Sequence, residues 1–321
     1  MRILICGAGA MGSLFGGYLT LAGEEVWLLS HWVEHIERIR REGLLLHPLE
    51  GAPLQIPIPI LSYDDPLPHH VEVAFISVKS ADTPEAARQA ANALAPTGVA
   101  ITMQNGIGNH EKLADEVGAK RALLGVTTHG ATLLGPGEVR HAGTGPTYIA
   151  SQPDREAATR IAALLTRAGF VSQIEREIEP VVWNKLLINV GINALTAILG
   201  VRNGVLAEHE PSRDLLRAAV EEAASVARAK SIPIHPDSVE RTLSVAHATA
   251  YNVSSMLADV RRRVPTEIDV MNAAIVREGL ALGIPTPVNE TLTRLVQTME
   301  ATYAAPEVKS IERQPASITP P

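Results

Sequence analysis

The segment Val181-Val182-Trp183-Asn184-Lys185-Leu186-Leu187-Ile188-Asn189-Val190-Gly191-Ile192-Asn193-Ala194-Leu195-Thr196 is apolar almost all round, as in a helix that is largely buried. Lys185, Asn189 and Asn193 interrupt it at spacings of four and four, so a helix projects them along one face. Burying an ammonium and two amides costs several kcal/mol unless they find partners. A packing helix has no reason to bear that cost, whereas a helix lining a cleft around a polar ligand does. The blander alternative is a lysine reaching solvent, with asparagines bonded to neighbouring backbone. A lysine partly desolvated in a cleft can polarise a ketone and protonate the alkoxide that hydride addition creates. General acid catalysis of this kind is typically worth about 10²–10⁴-fold. Asn189 and Asn193 would orient the substrate through its oxygens.

A hydride source needs a binding site, and Gly7-Ala8-Gly9-Ala10-Met11-Gly12 supplies the pattern G-x-G-x-x-G. It follows a strand-like run, Ile3–Cys6, and opens a helical one, Met11–Ala22, which is the context the motif requires. Gly7 permits the tight turn, Gly9 lets backbone approach a pyrophosphate, and Gly12 allows close helix–strand packing. The helix N-terminus adds N–H groups and partial positive charge. Cys6 reads as a small buried strand residue rather than a nucleophile. An NAD site usually places a carboxylate at the tip of the second strand. Here that tip reads Leu28-Leu29-Ser30-His31-Trp32, so Ser30 and His31 could donate to a 2′-phosphate, and NADP is expected. Glu34 lies one turn further on. His31-Trp32-Val33-Glu34-His35 also spells H-x-x-E-H, a zinc-peptidase pattern, but it begins where a dinucleotide strand ends, and no metal is expected.

These groups need elements to hold them. Further strand-like runs are Glu25–Leu29, Val73–Val78, Val99–Met103, Ala122–Thr127 and Thr147–Ala150. Between them lie helical patterns at Val33–Arg41, Thr83–Leu94 and Asn109–Val117, and a loop or hairpin at Gly135–Gly145. Such alternation predicts an α/β fold, a Rossmann-type parallel sheet with helices on both faces. From about Glu177 strand signals vanish. Helices are predicted over Pro180–Leu199, Ser212–Lys230, Pro236–Arg263, Thr266–Leu282 and Asn289–Tyr303, the fourth opened by a Thr266/Asp269 capping box. The expected division is a dinucleotide-binding domain over 1–176 and an all-α domain over 177–321, with a mobile tail from about 312.

The 321 residues suffice for two domains, and 46% hydrophobic content supplies their cores. With 3 Trp, 5 Tyr and 3 Phe, those cores are mostly aliphatic. A net charge of −7 argues against nucleic acid as partner. One cysteine fits a reducing compartment. No signal peptide develops at the start, and the apolar run 186–201 is too short to cross a membrane, so a cytoplasmic protein is expected. The apolar helices could offer a homodimer face, although core and interface residues look alike in sequence.

Taken in order, these residues resemble the ketopantoate reductase family over nearly the whole chain. The further markers are Val78-Lys79, Gln104-Asn105-Gly106, Thr128-His129-Gly130-Ala131, Trp183-Asn184-Lys185-Leu186, Asn203-Gly204, Asn252-Val253-Ser254-Ser255-Met256, Thr266-Glu267-Ile268-Asp269 and Gly283-Ile284-Pro285-Thr286-Pro287. The resemblance implies NADPH-dependent reduction of 2-dehydropantoate to (R)-pantoate, on the way to pantothenate and coenzyme A. It implies Lys185 as proton donor and Asn189, Asn193, Asn203, Asn252 and Ser255 at the substrate. Lys79, Asn105, Ala131 and Glu267 would join the glycine loop at the cofactor, with the active site between the two domains.

Two departures stand out. Many relatives carry arginine where this chain has His31, and histidine is only partly charged near neutral pH, so NADP preference is expected to weaken and NAD use to become feasible. Ala273 replaces a glycine common after Asn272. Rival readings are a reductase of another 2-oxo acid or ketone, a 3-hydroxyacid dehydrogenase, and a dinucleotide sensor without turnover. The dehydrogenase reading lacks its glycine-rich substrate motif, and a sensor needs no proton donor.

Overall fold

The computed structural model describes residues 1–303, so the mobile tail expected from about 312 lies outside the described residues. In chain order the first half comprises β1 (Arg2–Cys6), α1 (Ala10–Leu21), β2 (Glu25–Leu29), α2 (Val33–Glu42), β3 (Leu44–His47), β4 (Leu54–Ile56), β5 (Ile60–Leu61) and β6 (Val71–Ile76). It continues through α3 (Thr83–Ala93), β7 (Leu94–Thr102), α4 (Asn109–Val117), β8 (Ala122–Thr127), β9 (Gly130–Gly135), β10 (Glu138–Gly143), β11 (Thr147–Ala150), α5 (Arg155–Arg167) and β12 (Ser172–Glu175). Eight strands form one sheet in the order β12-β11-β8-β7-β6-β1-β2-β5. The strands from β5 to β8 along that order are parallel, while β11 runs antiparallel to β8.

Alternating side chains explain the two helical layers. Ile3, Ile5, Val73 and Phe75 face a core shared with α1, α2 and α5, whereas Leu4, Cys6, Ala74 and Ile76 face one shared with α3 and α4. Small residues let α3 lie close, since Ala86, Ala87 and Ala90 are fully buried.

The second half is helical: α6 (Glu179–Leu199), α7 (Val205–Glu208), α8 (Glu210–Ala229), α9 (Ser238–Ala248), α10 (Ser255–Arg262), α11 (Asn272–Leu282) and α12 (Pro287–Ala301). A separate aliphatic core gathers Trp183, Leu187, Val190, Val220, Ala246, Met256, Ile275 and Val296 around α6. Pro180 opens α6, and left-handed Gly200 closes it by donating its N–H to the Thr196 carbonyl. At 21 residues α6 is longer than the run weighed from sequence, and by length and hydropathy it could cross a membrane. However, 61% of its apolar window is buried inside the fold, against α8, α9, α10 and α12.

Three expectations need correction, and one hairpin extends beyond its expected bounds. The predicted helix 236–263 is two helices, α9 and α10. Between them a turn is pinned from outside, as Asn203 and Gly204 donate their N–H groups to the carbonyls of Asn252 and Ala250. The predicted helix 266–282 starts at Asn272, after a short 3-10 turn over Ile268–Val270. Thr266 Oγ1 accepts from the Ile268 N–H, while Asp269 accepts from Gln297, so no capping box closes. The hairpin expected at 135–145 is present as the turn and second strand of β9–β10; it begins earlier, at Gly130, and joins β3 and β4 in a second sheet, β4-β3-β10-β9, that the strand pattern does not predict. Helix α5 and strand β12 were also not foreseen.

Candidate active site

Strand β1 ends where the sheet order reverses: β2 lies on one side of it and β6 on the other. Open α/β sheets bind ligands at such a crevice, outside the carboxyl ends of the strands. The loop Gly7–Gly12 occupies that position. Gly7 has φ +103°, and a Cβ there would meet the Val78 nitrogen at 2.6 Å. At Gly12 a Cβ would fall 1.9 Å from the Gly7 carbonyl oxygen. The fold itself therefore demands these two glycines. Gly9 differs, because its Cβ would find nothing nearer than the Ser77 oxygen at 4.0 Å. Protein packing does not explain Gly9, and the space beside it leaves the backbone open to a ligand. Ala10, Met11 and Gly12 open α1 with no side-chain cap and no acidic residue in the first turn, leaving N–H groups for an anion. The residues present thus fit a dinucleotide.

Three other strand ends contribute. Lys79 lies just past β6, Asn105 past β7, and Thr127 ends β8. Gln104 ties the first two loops together, since its Nε2 donates to the Val78 carbonyl at 2.8 Å and to Thr83 Oγ1 at 2.9 Å. At left-handed Gly106 the loop after β7 closes on the helical half, where the Ile107 N–H donates to the Val270 carbonyl at 3.0 Å. A Cβ at Gly106 would sit 2.2 Å from that same oxygen. This contact places Asn105 beside Glu267, whose carboxylate it favours in the charged form.

Lys185 reaches across from α6. Its Nζ donates to the Thr127 carbonyl at 2.7 Å. Loss of solvation on burial pulls its pKa from 10.5 down to about 8, and the Glu267 carboxylate opposes the shift. Glu267 is 7% exposed. Burial pushes its carboxyl up, the Asp259 charge adds to that, and Lys79, Lys185 and the Asn105 side chain work against it. Lys79 Nζ is 2.5 Å from Asp259 Oδ2, and Arg262 bonds the other oxygen at 2.8 Å. Two cations of the cleft, Lys79 and Lys185, thus meet two buried carboxylates, Asp259 and Glu267, at the junction of the halves.

Along the α6 stripe the amides are under-used. Asn189 is half-buried and makes no hydrogen bond among the described residues, and Asn193 donates only to Met271 Sδ, a weak acceptor, at 3.4 Å. Asn203 is buried; its Nδ2 donates to Thr249 Oγ1, and its Oδ1 has no partner among the described residues. Asn252 and Ser255 are exposed at the α9–α10 turn. Ser254 rather than Ser255 caps α10, its Oγ accepting from the Leu257 N–H and pairing with Thr196 Oγ1 of α6 at 2.7 Å. That division of labour leaves the Ser255 hydroxyl at the surface of the turn.

Other candidates sit apart. Ala131 lies on β9, which packs against α1. His31 is exposed at the tip of β2 and stacks on Tyr63. Ser30 is buried, and its Oγ accepts from the Trp32 N–H. His35 turns into the core, where its Nδ1 accepts from the Gly137 N–H at 2.9 Å and burial lowers its pKa to about 4. The two histidines of H-x-x-E-H therefore face different surroundings. Among the described residues no group of three His, Cys, Asp or Glu side chains could hold a metal. Ala273 is buried on α11. Of Arg261–Arg263, Arg261 and Arg262 are exposed, bonded to the Gly200 carbonyl and to Asp259.

Sequence reasoning passed over Asp259 and Thr127, and named Gln104 only within a family marker. Asp259 stands four residues after Ser255, on one face of α10, but a single long predicted helix concealed that relation. Thr127 acts through its backbone carbonyl, which no side-chain pattern announces.

A glycine turn at the switch point of a parallel sheet, faced by a desolvated lysine on a helical domain, defines a dinucleotide-dependent oxidoreductase. Comparison with known proteins makes this specific. Residues 3–154 match the family described as "Ketopantoate reductase PanE/ApbA", and residues 177–300 match its C-terminal counterpart. The chain belongs to the ketopantoate reductase family. It is 37% identical over 299 residues to the 2-dehydropantoate 2-reductase of Halobacterium salinarum, covering 92% of this chain and 98% of the relative. The enzyme of the same name from Archaeoglobus fulgidus is 35% identical, covering 94% and 98%. A ketopantoate reductase of this family from Ralstonia eutropha superposes with a TM-score of 0.86 at 32% identity, over 94% of this chain and 99% of that one. D-mandelate dehydrogenase, solved with NADH and anilino(oxo)acetate, superposes at 0.87 with 27% identity, again over 94% and 99%.

Proposed function

We propose that the protein reduces 2-dehydropantoate to (R)-pantoate with NADPH, and accepts NADH less well, as a cytoplasmic step towards pantothenate and coenzyme A. The observation that carries the reading is Lys185: a desolvated ammonium, tethered to the Thr127 carbonyl and facing Glu267 at the carboxyl edge of the sheet. When bound, the reduced nicotinamide supplies hydride to the C2 ketone carbon. Lys185 polarises the ketone oxygen and donates its proton as negative charge develops there. Asn189 and Asn193, short of protein partners, orient the substrate oxygens, and Asn203, Asn252 and Ser255 hold its far end. Lys79, Asn105 and Glu267 fix the nicotinamide end of the cofactor, while Gly7–Gly12, with Ala131 behind α1, seat the pyrophosphate and His31 meets the adenosine end. The buried Cys6 thiol, pushed up to about 12, takes no part.

Likeness to D-mandelate dehydrogenase favours a second reading, reduction of another 2-oxo acid. A panel of 2-oxo acids assayed with NADPH separates the two. The first reading predicts the highest kcat/KM with 2-dehydropantoate; a tenfold preference for another acid would transfer the function to the second.

A further inference from the structure

The tip of β2 carries a contact that the family motifs leave out. β2 and β5 pair in parallel with Leu29 opposite Leu61, and the Ser30 N–H donates to the Leu61 carbonyl at 3.0 Å. Carrying this register two residues past each strand brings His31 level with Tyr63. Their rings are 3.5 Å apart and tilted by only 14°. Tyr63 is rooted beneath, packed against the core that holds Leu4, Cys6 and Leu29. Its loop is braced, because Asp65 accepts from the Ser62 N–H and hydroxyl and from Arg40, whose Nε also donates to the Ile60 carbonyl. Among the described residues the buried Tyr63 hydroxyl has no hydrogen-bond partner, so the ring rather than a hydrogen bond accounts for the tyrosine. One face of an exposed imidazole is thus held by a fixed aromatic ring.

We propose that Tyr63 is a positioning residue for cofactor recognition: it holds the His31 imidazole so that the outer face of that ring stacks on the adenine of the dinucleotide. This rests on the reading above that the adenosine end lies at the tip of β2. A bare base offers a π-face to any aromatic platform, and stacking on one is a recurrent means of holding it. Adenine is common to both nicotinamide cofactors, so a stacking platform supports both, unlike an arginine directed at the 2′-phosphate. A free histidine would lose rotamer freedom on stacking, and Tyr63 removes that cost beforehand.

The test is calorimetric titration of NADP⁺ and NAD⁺, alongside steady-state kinetics, for Tyr63→Ala, Tyr63→Phe, His31→Ala and the double variant His31→Ala/Tyr63→Ala. The expected result is that Tyr63→Ala raises both dissociation constants by about three- to tenfold with kcat unchanged. Tyr63→Phe should bind as the parent does, and the double variant should bind no worse than His31→Ala. Tyr63→Leu replaces Tyr63→Ala if the smaller side chain prevents folding. Parent-like binding of both cofactors by the Tyr63→Ala or Tyr63→Leu protein, loss confined to NADP⁺, or additive losses in the double variant would each overturn the proposal. If His31→Ala binds both cofactors as the parent does, the placement of adenosine at β2 fails as well, which separates the two failures.

Discussion

A lysine set in an apolar helix is penalised in its charged form, and Lys185, drawn down to about 8, shows that penalty with Glu267 restraining it. A donor must be protonated before it can give a proton, so kcat for ketone reduction should decline as pH rises through about 8. Lys185→Ala is expected to lower kcat by about 10²–10⁴-fold and to remove that limb. Glu267→Gln takes away a charge that favours the ammonium, so the limb should move to lower pH. An unmoved limb would show that the two groups do not communicate. Linkage adds a check on folding. Between pH about 8 and 10.5 unfolded Lys185 keeps a proton that the folded residue has lost, so this group makes stability rise with pH across that window and contributes no change below it. Lys185→Met should abolish the rise in a series of denaturant titrations.

At the level of elements, α6 is held close to its neighbours by Gly191, whose Cβ would lie 2.7 Å from Val220 Cγ2 and 2.8 Å from Thr242 Cγ2. Gly191→Ala therefore overpacks the α6–α8–α9 contact and should destabilise the protein by about 1–3 kcal/mol in urea titration. The glycine loop divides likewise. Gly12→Ala should reduce stability through its clash with Gly7, whereas Gly9→Ala should leave the melting temperature unchanged and weaken cofactor binding. The legible parts of the molecule follow the same logic of local signal. Gly7–Gly12, the β1–β6–β7 runs and the Lys185 stripe carry their structure in short-range pattern. The α9–α10 break does not, because Tyr251-Asn252-Val253 contains no glycine or proline and the turn is set by bonds from Asn203 and Gly204. The second sheet was hidden for a similar reason: its strands are 3–6 residues long, and β3 finds β10 across about ninety residues. Thr266 looked like a cap, but Glu267 is drawn to Asn105 and Lys79, and α11 begins only beyond Met271, at φ −112° and ψ −102°. In each case a tertiary contact overrode the local preference.

Across the whole molecule, the two halves meet through the Ile107–Val270 bond, the Lys185–Thr127 bond and the Lys79–Asp259 pair, so the site exists only where they join. Asp259 is 2% exposed, and Lys79→Met would remove one of the cations paired with it, leaving Arg262 in place. That change should cost about 1–3 kcal/mol of stability and weaken cofactor binding together. A loss of binding without a loss of stability would mean that Lys79 serves the cofactor alone. The central claim joins the sheet edge, the α6 lysine and the substrate in a single reaction, and one assay reaches all three. Purified protein is mixed with NADPH and 2-dehydropantoate, cofactor oxidation is followed by the loss of the reduced nicotinamide's absorbance, and Lys185→Ala is run in parallel. The account predicts rapid oxidation that collapses in the variant while NADPH still binds. No oxidation by a parent protein that binds NADPH, or equal rates in parent and variant, would contradict it.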